Sequence, residues 1–117
     1  MEEQYKKLTE EIRQKSKECL IAWTPSNYND TYEATLGRGA ILIEHNEPSE
    51  EYYPETPVYS LSFLNERGEV FHSIKVFHEF VDTDKFQCLK DIYEYAYKSY
   101  MKIDETLKSM FEDINSK

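Results

Sequence analysis

The side chains of this 117-residue chain that could do chemistry are three histidines, two cysteines and 23 carboxylates. On one extended strand His72 and His78 would point to the same face about 20 Å apart, at ~3.3 Å per residue. Metal–ligand bonds are near ~2 Å, so a single ion cannot join them. Glu44 and His45 are adjacent and point to opposite faces of a strand, which defeats a shared chelate. No metal site and no cofactor are expected. Cys19 and Cys88 fall within helical patterns and make no CxxC. Glu18 beside the first, and Asp84 and Asp91 one turn from the second, disfavour a thiolate. Both read as small seam-filling residues.

Acid–base catalysis needs two groups in a cleft whose environments push their pKa values apart. The carboxylates here sit on charged helix faces or in a proline-rich loop, both solvated, and no serine occupies a nucleophile elbow. No catalytic residue is assigned, and a non-enzymatic protein is expected. Gly37-Arg38-Gly39 has two glycines of a phosphate-binding loop. The third is missing, and a β-type apolar run follows where such loops need a helix N-terminus. The tripeptide reads as a turn or bulge. Arg38 is still the only base between Lys17 and Arg67. An alternative reading, a small anionic-ligand binder or enzyme, would use Arg38 with a histidine.

The segment EHNEPSEEYYPETPVYS, residues 44–60, holds five glutamates and three tyrosines with no lysine or arginine. Exposed tyrosines are enriched at interface hot spots, and grouped charge steers association toward a surface of opposite sign. Glu44, Glu47, Glu50, Glu51, Tyr52, Tyr53 and Glu55, with the neighbouring strand face, are therefore the expected partner-binding residues. The partner would be a protein with a basic surface. By analogy of size and charge, an inhibitor of the immunity or antidefence type fits.

Whole-chain composition supports that direction. The net charge is −9, which argues against nucleic acid or an anionic membrane as partner. Residues 21–80 carry ten acids against Arg38, Arg67 and Lys75, giving −7 of it. The opening MEEQYKKLTEEIRQK has no apolar h-region, so no signal peptide is expected, and no run approaches the ~18 apolar residues of a membrane span. Free cysteines suit a reducing compartment, and cytoplasmic localisation is expected.

The elements that must position these residues follow from periodicity. Residues 2–23 read as an amphipathic helix with Tyr5, Leu8, Ile12, Cys19 and Trp23 on one face and Ser16 filling the gap. Thr24-Pro25 should end it. Residues 31–45 read as strand, interrupted at Gly37-Arg38-Gly39, and two strands with a tight turn are preferred to one bulged strand. The prolines of residues 46–57 exclude a helix or central strand. Residues 58–64 and 69–80 read as a hairpin around Asn65-Glu66-Arg67-Gly68. The second of these strands is apolar on both faces and is expected to be central or twisted.

From Asp82, Thr83 or Asp84 as N-cap, Phe86, Leu89, Tyr93, Ala96, Tyr100, Ile103, Leu107, Met110 and Ile114 recur at spacings of three and four. A helix over residues 84–114 would run about 46 Å against about 33 Å for the first. The excess must kink, near Ile103-Asp104, or project and pack on another chain. In that second case a homodimer would form through Tyr93, Tyr100, Ile103, Leu107 and Met110. The expected fold is one α+β domain over residues 1–117. It comprises an N-terminal helix, an antiparallel meander of three to four strands and a long C-terminal helix, with the helices on one sheet face.

Overall fold

The computed structural model describes residues 2–28, 30–47, 56–77 and 82–117. The chain order is α1 (Glu3–Lys17), β1 (Thr24–Pro25), β2 (Thr31–Leu36), β3 (Gly39–His45), β4 (Tyr59–Leu64), β5 (Val70–Val76), α2 (Thr83–Met101) and α3 (Ile103–Asn115). The strands form one antiparallel meander in the order β1-β2-β3-β4-β5. The fold is α+β, with five strands among the described residues rather than three or four. The additional strand is Thr24–Pro25 itself, which pairs with Glu33 and Tyr32. Proline cannot donate to a ladder, and this strand is an edge, where that loss is tolerated.

The first helix stops at Lys17, six residues short of the expected end. Cys19 takes a left-handed conformation (φ 61°), and the Leu20 amide donates to the Lys15 carbonyl at 2.9 Å. Beyond this cap Ile21 and Trp23 are buried while Leu20 and Ala22 are exposed, a period of two that belongs to extended chain. Cys19 is therefore exposed rather than a seam residue. Ser16 does fill the helix face: it is buried, and its Oγ accepts a 3.0 Å hydrogen bond from the Trp23 indole.

Gly37-Arg38-Gly39 is a hairpin turn. Gly37 sits at φ 61°, and a Cβ on Gly39 would stand 2.3 Å from the Leu64 carbonyl oxygen on the adjacent strand. The two glycines thus answer two separate constraints, a left-handed turn and a close backbone approach. At the β4–β5 turn Gly68 is left-handed (φ 80°), and the Asn65 Oδ1 accepts from the amides of Arg67 and Glu69 at 2.9 and 3.0 Å. After Phe63↔His72 the register passes to Leu64↔Val70. Phe71 is thus the extra residue of a bulge. That shift turns Val70 outward, and β5 is an edge strand rather than a central one.

One sheet face carries Tyr32, Ala34, Ile41, Ile43, Tyr59, Leu61, Phe63, Ile74 and Val76, all buried. On it lie α1 and α2, which bring Ile12, Cys88, Leu89, Ile92 and Ala96 to the same core. Tyr5 reaches Phe63 and His72, and Arg13 bridges to Asp91 at 3.5 Å between the two helices. Asp82 is the N-cap of α2, accepting from the Lys85 amide at 3.2 Å. The long C-terminal pattern breaks at Lys102 (φ 52°, ψ 40°), one residue before Ile103. Among the described residues no part of α3 is buried, and its only neighbouring element is α2. No described helix is long and apolar enough to cross a membrane.

Candidate interaction surface

Successive residues of a strand alternate between faces, so the buried set above fixes what the opposite face presents. Glu33 and Thr35 of β2, Leu42 and Glu44 of β3, Ser60 and Ser62 of β4, and Ser73 and Lys75 of β5 lie there. Cross-strand partners run Thr31↔Glu44↔Ser60↔Lys75 along one row and Glu33↔Leu42↔Ser62↔Ser73 along the next. The Ser62 and Ser73 hydroxyls hydrogen-bond across the pair at 2.9 Å. No described helix packs on this face, because the described helix–sheet contacts fall on the core side. Glu33, Thr35 and Lys75 are exposed on it, Leu42, Glu44, Ser62 and Ser73 are half-buried, and Thr31 and Ser60 in the row nearest its acidic end are buried.

That end is where the segment 46–57 leaves the sheet. Asn46 ties the two limbs together. Its amide donates to the Val58 carbonyl at 2.8 Å, and its side-chain amide donates to the Pro57 carbonyl at 3.1 Å and to Glu44 Oε1 at 3.3 Å. Glu44 is half-buried on the open face. Glu47 projects with its side chain 84% exposed, its carboxylate 3.3 Å from His45 Nε2. Of the residues expected to bind a partner, these two are placed at the sheet end. Glu50, Glu51, Tyr52, Tyr53 and Glu55 lie outside the described residues.

Sequence reading missed Asp30 and Glu33. Asp30 is exposed in a left-handed conformation just before β2, and its carbonyl accepts from the His45 amide at 3.0 Å. The signal was available in the meander itself. Any topology that brings residue 31 beside residue 44 also brings the acid at 30 beside those at 44 and 47.

Beneath this end, on the core side, is an aromatic cluster. His45 stacks on Tyr59 (centroids 4.7 Å apart) and meets Tyr93 at 5.2 Å, with its Nδ1 3.2 Å from the Val58 carbonyl. Tyr32 contacts Tyr93, Tyr97 and Tyr100. Burial raises the pKa of the Tyr93 hydroxyl well above 10, with Asp30 next, both by its charge and by accepting the hydroxyl's hydrogen bond. Burial likewise raises Tyr59, assisted by Glu94 and Glu47, and raises Tyr32, assisted by Tyr97 and Asp30. These hydroxyls stay protonated at neutral pH. The Tyr93 hydroxyl donates to Asp30 and ties that acid to the core.

The other candidates are scattered. Arg38 borders a shallow groove of about 400 Å³ formed mainly by Leu8, Leu36, Leu64 and Phe71 at the opposite end of the sheet. Neither described histidine lines it: His45 is in the aromatic cluster, and His72 stacks on Tyr5 at 3.7 Å. His78 lies outside the described residues. Cys88 is buried, and burial with Glu10 pushes its thiol up to about 11, Arg13 opposing. Among the described residues no three His, Cys, Asp or Glu side chains group to hold a metal. Tyr93 and Tyr100 pack on Tyr32, whereas Leu107 and Met110 stand exposed on α3, and Ile103 is half-buried.

Comparison with protein-family models, with curated proteins and with solved structures finds no match for the chain.

Proposed function

We propose that the protein is an acidic, non-enzymatic interaction module that docks a basic surface of another protein against the open face of its sheet. The observation that carries this reading is the lack of any described helix on that face, with Glu33 and Glu44 on it and Glu47 and Asp30 at its end. A flat sheet face supplies area without costly reorganisation, since its backbone is already hydrogen-bonded into the ladder. The half-buried Leu42, Ser62 and Ser73 give contact surface. The carboxylates supply direction: exposed ion pairs add only ~0.2–1 kcal/mol each, but grouped charge raises association rates by roughly 10–10³-fold.

On this reading Glu50, Glu51 and Glu55, outside the described residues, add to the charge that steers the partner, and the inhibitor or immunity-type role is the biological form it would take. The test begins with the tagged chain and the protein it retains from source lysate. Association rates are then measured at low and high salt for the native chain and for Glu33→Lys/Glu44→Lys/Glu47→Lys. The native rate should fall with salt, and the variant should associate at least ~10-fold more slowly with little salt dependence. Equal rates for both chains at low salt would reject the proposal.

A further inference from the structure

The open sheet face leaves a second unpartnered feature unexplained. Leu107 is 48% exposed, Met110 60%, Phe111 64% and Ile114 64%. These are the exposed large apolar side chains of α3, and a solvated helix gains nothing from them. We infer that α3 is a dimerisation helix, packing this row against the same row of a second copy about a twofold axis.

At ~100° per residue the four side chains fall within an arc of about 100°, the width of one buried helix stripe. Glu105 and Glu112 fall on the far side, Lys108 and Asp113 flank the row at about 60° from its two edges, and Asp104 lies at its margin one turn before Leu107. The row can therefore close on its own image without burying a charge, which would be costly unless paired. Area supports the same occupant. A fully buried aromatic contributes ~150–250 Å², so Phe111 leaves about 100–160 Å² uncovered, and the row offers roughly 400–500 Å² per copy. Two rows face to face bury roughly 800–1,000 Å², close to the ~1,000 Å² a specific interface needs. Tyr100 and Met101, 46% and 49% exposed on the last turn of α2, adjoin the hinge and can extend the contact past that bound.

The break at Lys102 serves this arrangement. A straight continuation of α2 would keep its axis along the sheet. The left-handed residue instead redirects α3, whose only described neighbour is α2. An isologous contact of this kind closes at two copies.

The dimer does not depend on the open sheet face, and salt separates the two. Each copy carries −9, so self-association works against repulsion and strengthens as salt screens it, whereas binding to a basic partner weakens. The experiment is sedimentation of the full chain with Cys19→Ser, which removes the exposed thiol as a source of disulfide dimers. It spans about a hundredfold in concentration around ~1 µM, at low and high salt. The expected result is a mass rising to twice the 14.0 kDa of the chain, at lower concentration in high salt. Leu107→Asp/Phe111→Asp should restore the single-chain mass, with a circular-dichroism melt equal to that of the native chain at concentrations below dimer formation, since no α3 residue is buried within one chain. Glu105→Lys/Glu112→Lys, on the far side, should leave the dimer intact. A single-chain mass throughout would overturn the proposal and assign the row to a foreign partner. So would a dimer that survives the aspartate pair, or association beyond two copies.

Discussion

Ser16 and Trp23 illustrate how one hydrogen bond fixes a chain reversal. The indole N–H and the serine hydroxyl meet at 3.0 Å, both buried, with the helix end and a turn between them. Ser16→Ala leaves a buried donor without a partner, a loss of about 1–3 kcal/mol. Urea denaturation followed through Trp23, the chain's single tryptophan, measures it directly. The buried hydroxyls and thiol make a second residue-scale prediction. Cys88 and the tyrosines Tyr32, Tyr59 and Tyr93 all have folded pKa values raised chiefly by burial. The unfolded chain therefore loses these protons first as pH rises, and the folded state holds more of them. Stability should be full below the ordinary values and decline from about pH 9 for the thiol and about pH 10 for the tyrosines. Denaturant midpoints at pH 8, 9.5 and 10.5 test this. Cys88→Ala should flatten the first part of the decline while lowering stability throughout through the cavity it leaves.

At the scale of elements, the C-terminal pattern divides at Lys102 into a helix that builds the core and one that contributes nothing to it. At concentrations below dimer formation, truncation after Lys102 should change stability by no more than the scatter typical of surface changes, ~0.5 kcal/mol. Truncation before Ile92, which is fully buried, should abolish folding. Thermal melts by circular dichroism distinguish the two. The division was only half visible in sequence. Apolar spacing over residues 84–114 reports a stripe, and a stripe facing a sheet reads the same as one facing solvent or another chain. The same limit misplaced the end of the first helix. Cys19 and Trp23 are four apart and satisfy a helical period, but two steps of an extended chain also cover four residues. Ile21, buried between them, was the residue that separates the readings. Gly37-Arg38-Gly39 and Asn65-Glu66-Arg67-Gly68 were legible because left-handed turns restrict residue type so strongly. The open sheet face was not, since alternation within one strand says which residues share a face but not which face is covered.

Charge at the scale of the whole molecule follows from the meander. Because neighbouring strands are antiparallel, the turn holding Asp30 and the base of the segment at Glu44 and Glu47 come to one end of the sheet. The Arg38 and Arg67 turns come to the other, where Arg67 pairs with Glu69 at 2.8 Å and Arg38 offsets Glu66. The hairpin end is thus nearly neutral, while at the loop end Lys75 alone stands against Asp30, Glu44 and Glu47 among the described residues of the sheet. Such a molecule approaches a cationic surface with one end leading, and charge changes at its two ends should differ in kinetic effect even when they alter net charge equally. Reversing Glu66 and Glu69 to lysine changes the net charge by as much as reversing Glu44 and Glu47. If the loop end leads, the hairpin-end pair should alter association with a basic partner by less than ~3-fold, and the loop-end pair should slow it ~10-fold or more. Equal slowing by both pairs would mean that net charge alone drives the encounter and that the open face has no orienting role. Stopped-flow association at low salt, where the Debye length reaches ~30 Å and the two ends still act separately on an approaching surface, gives the comparison its greatest contrast.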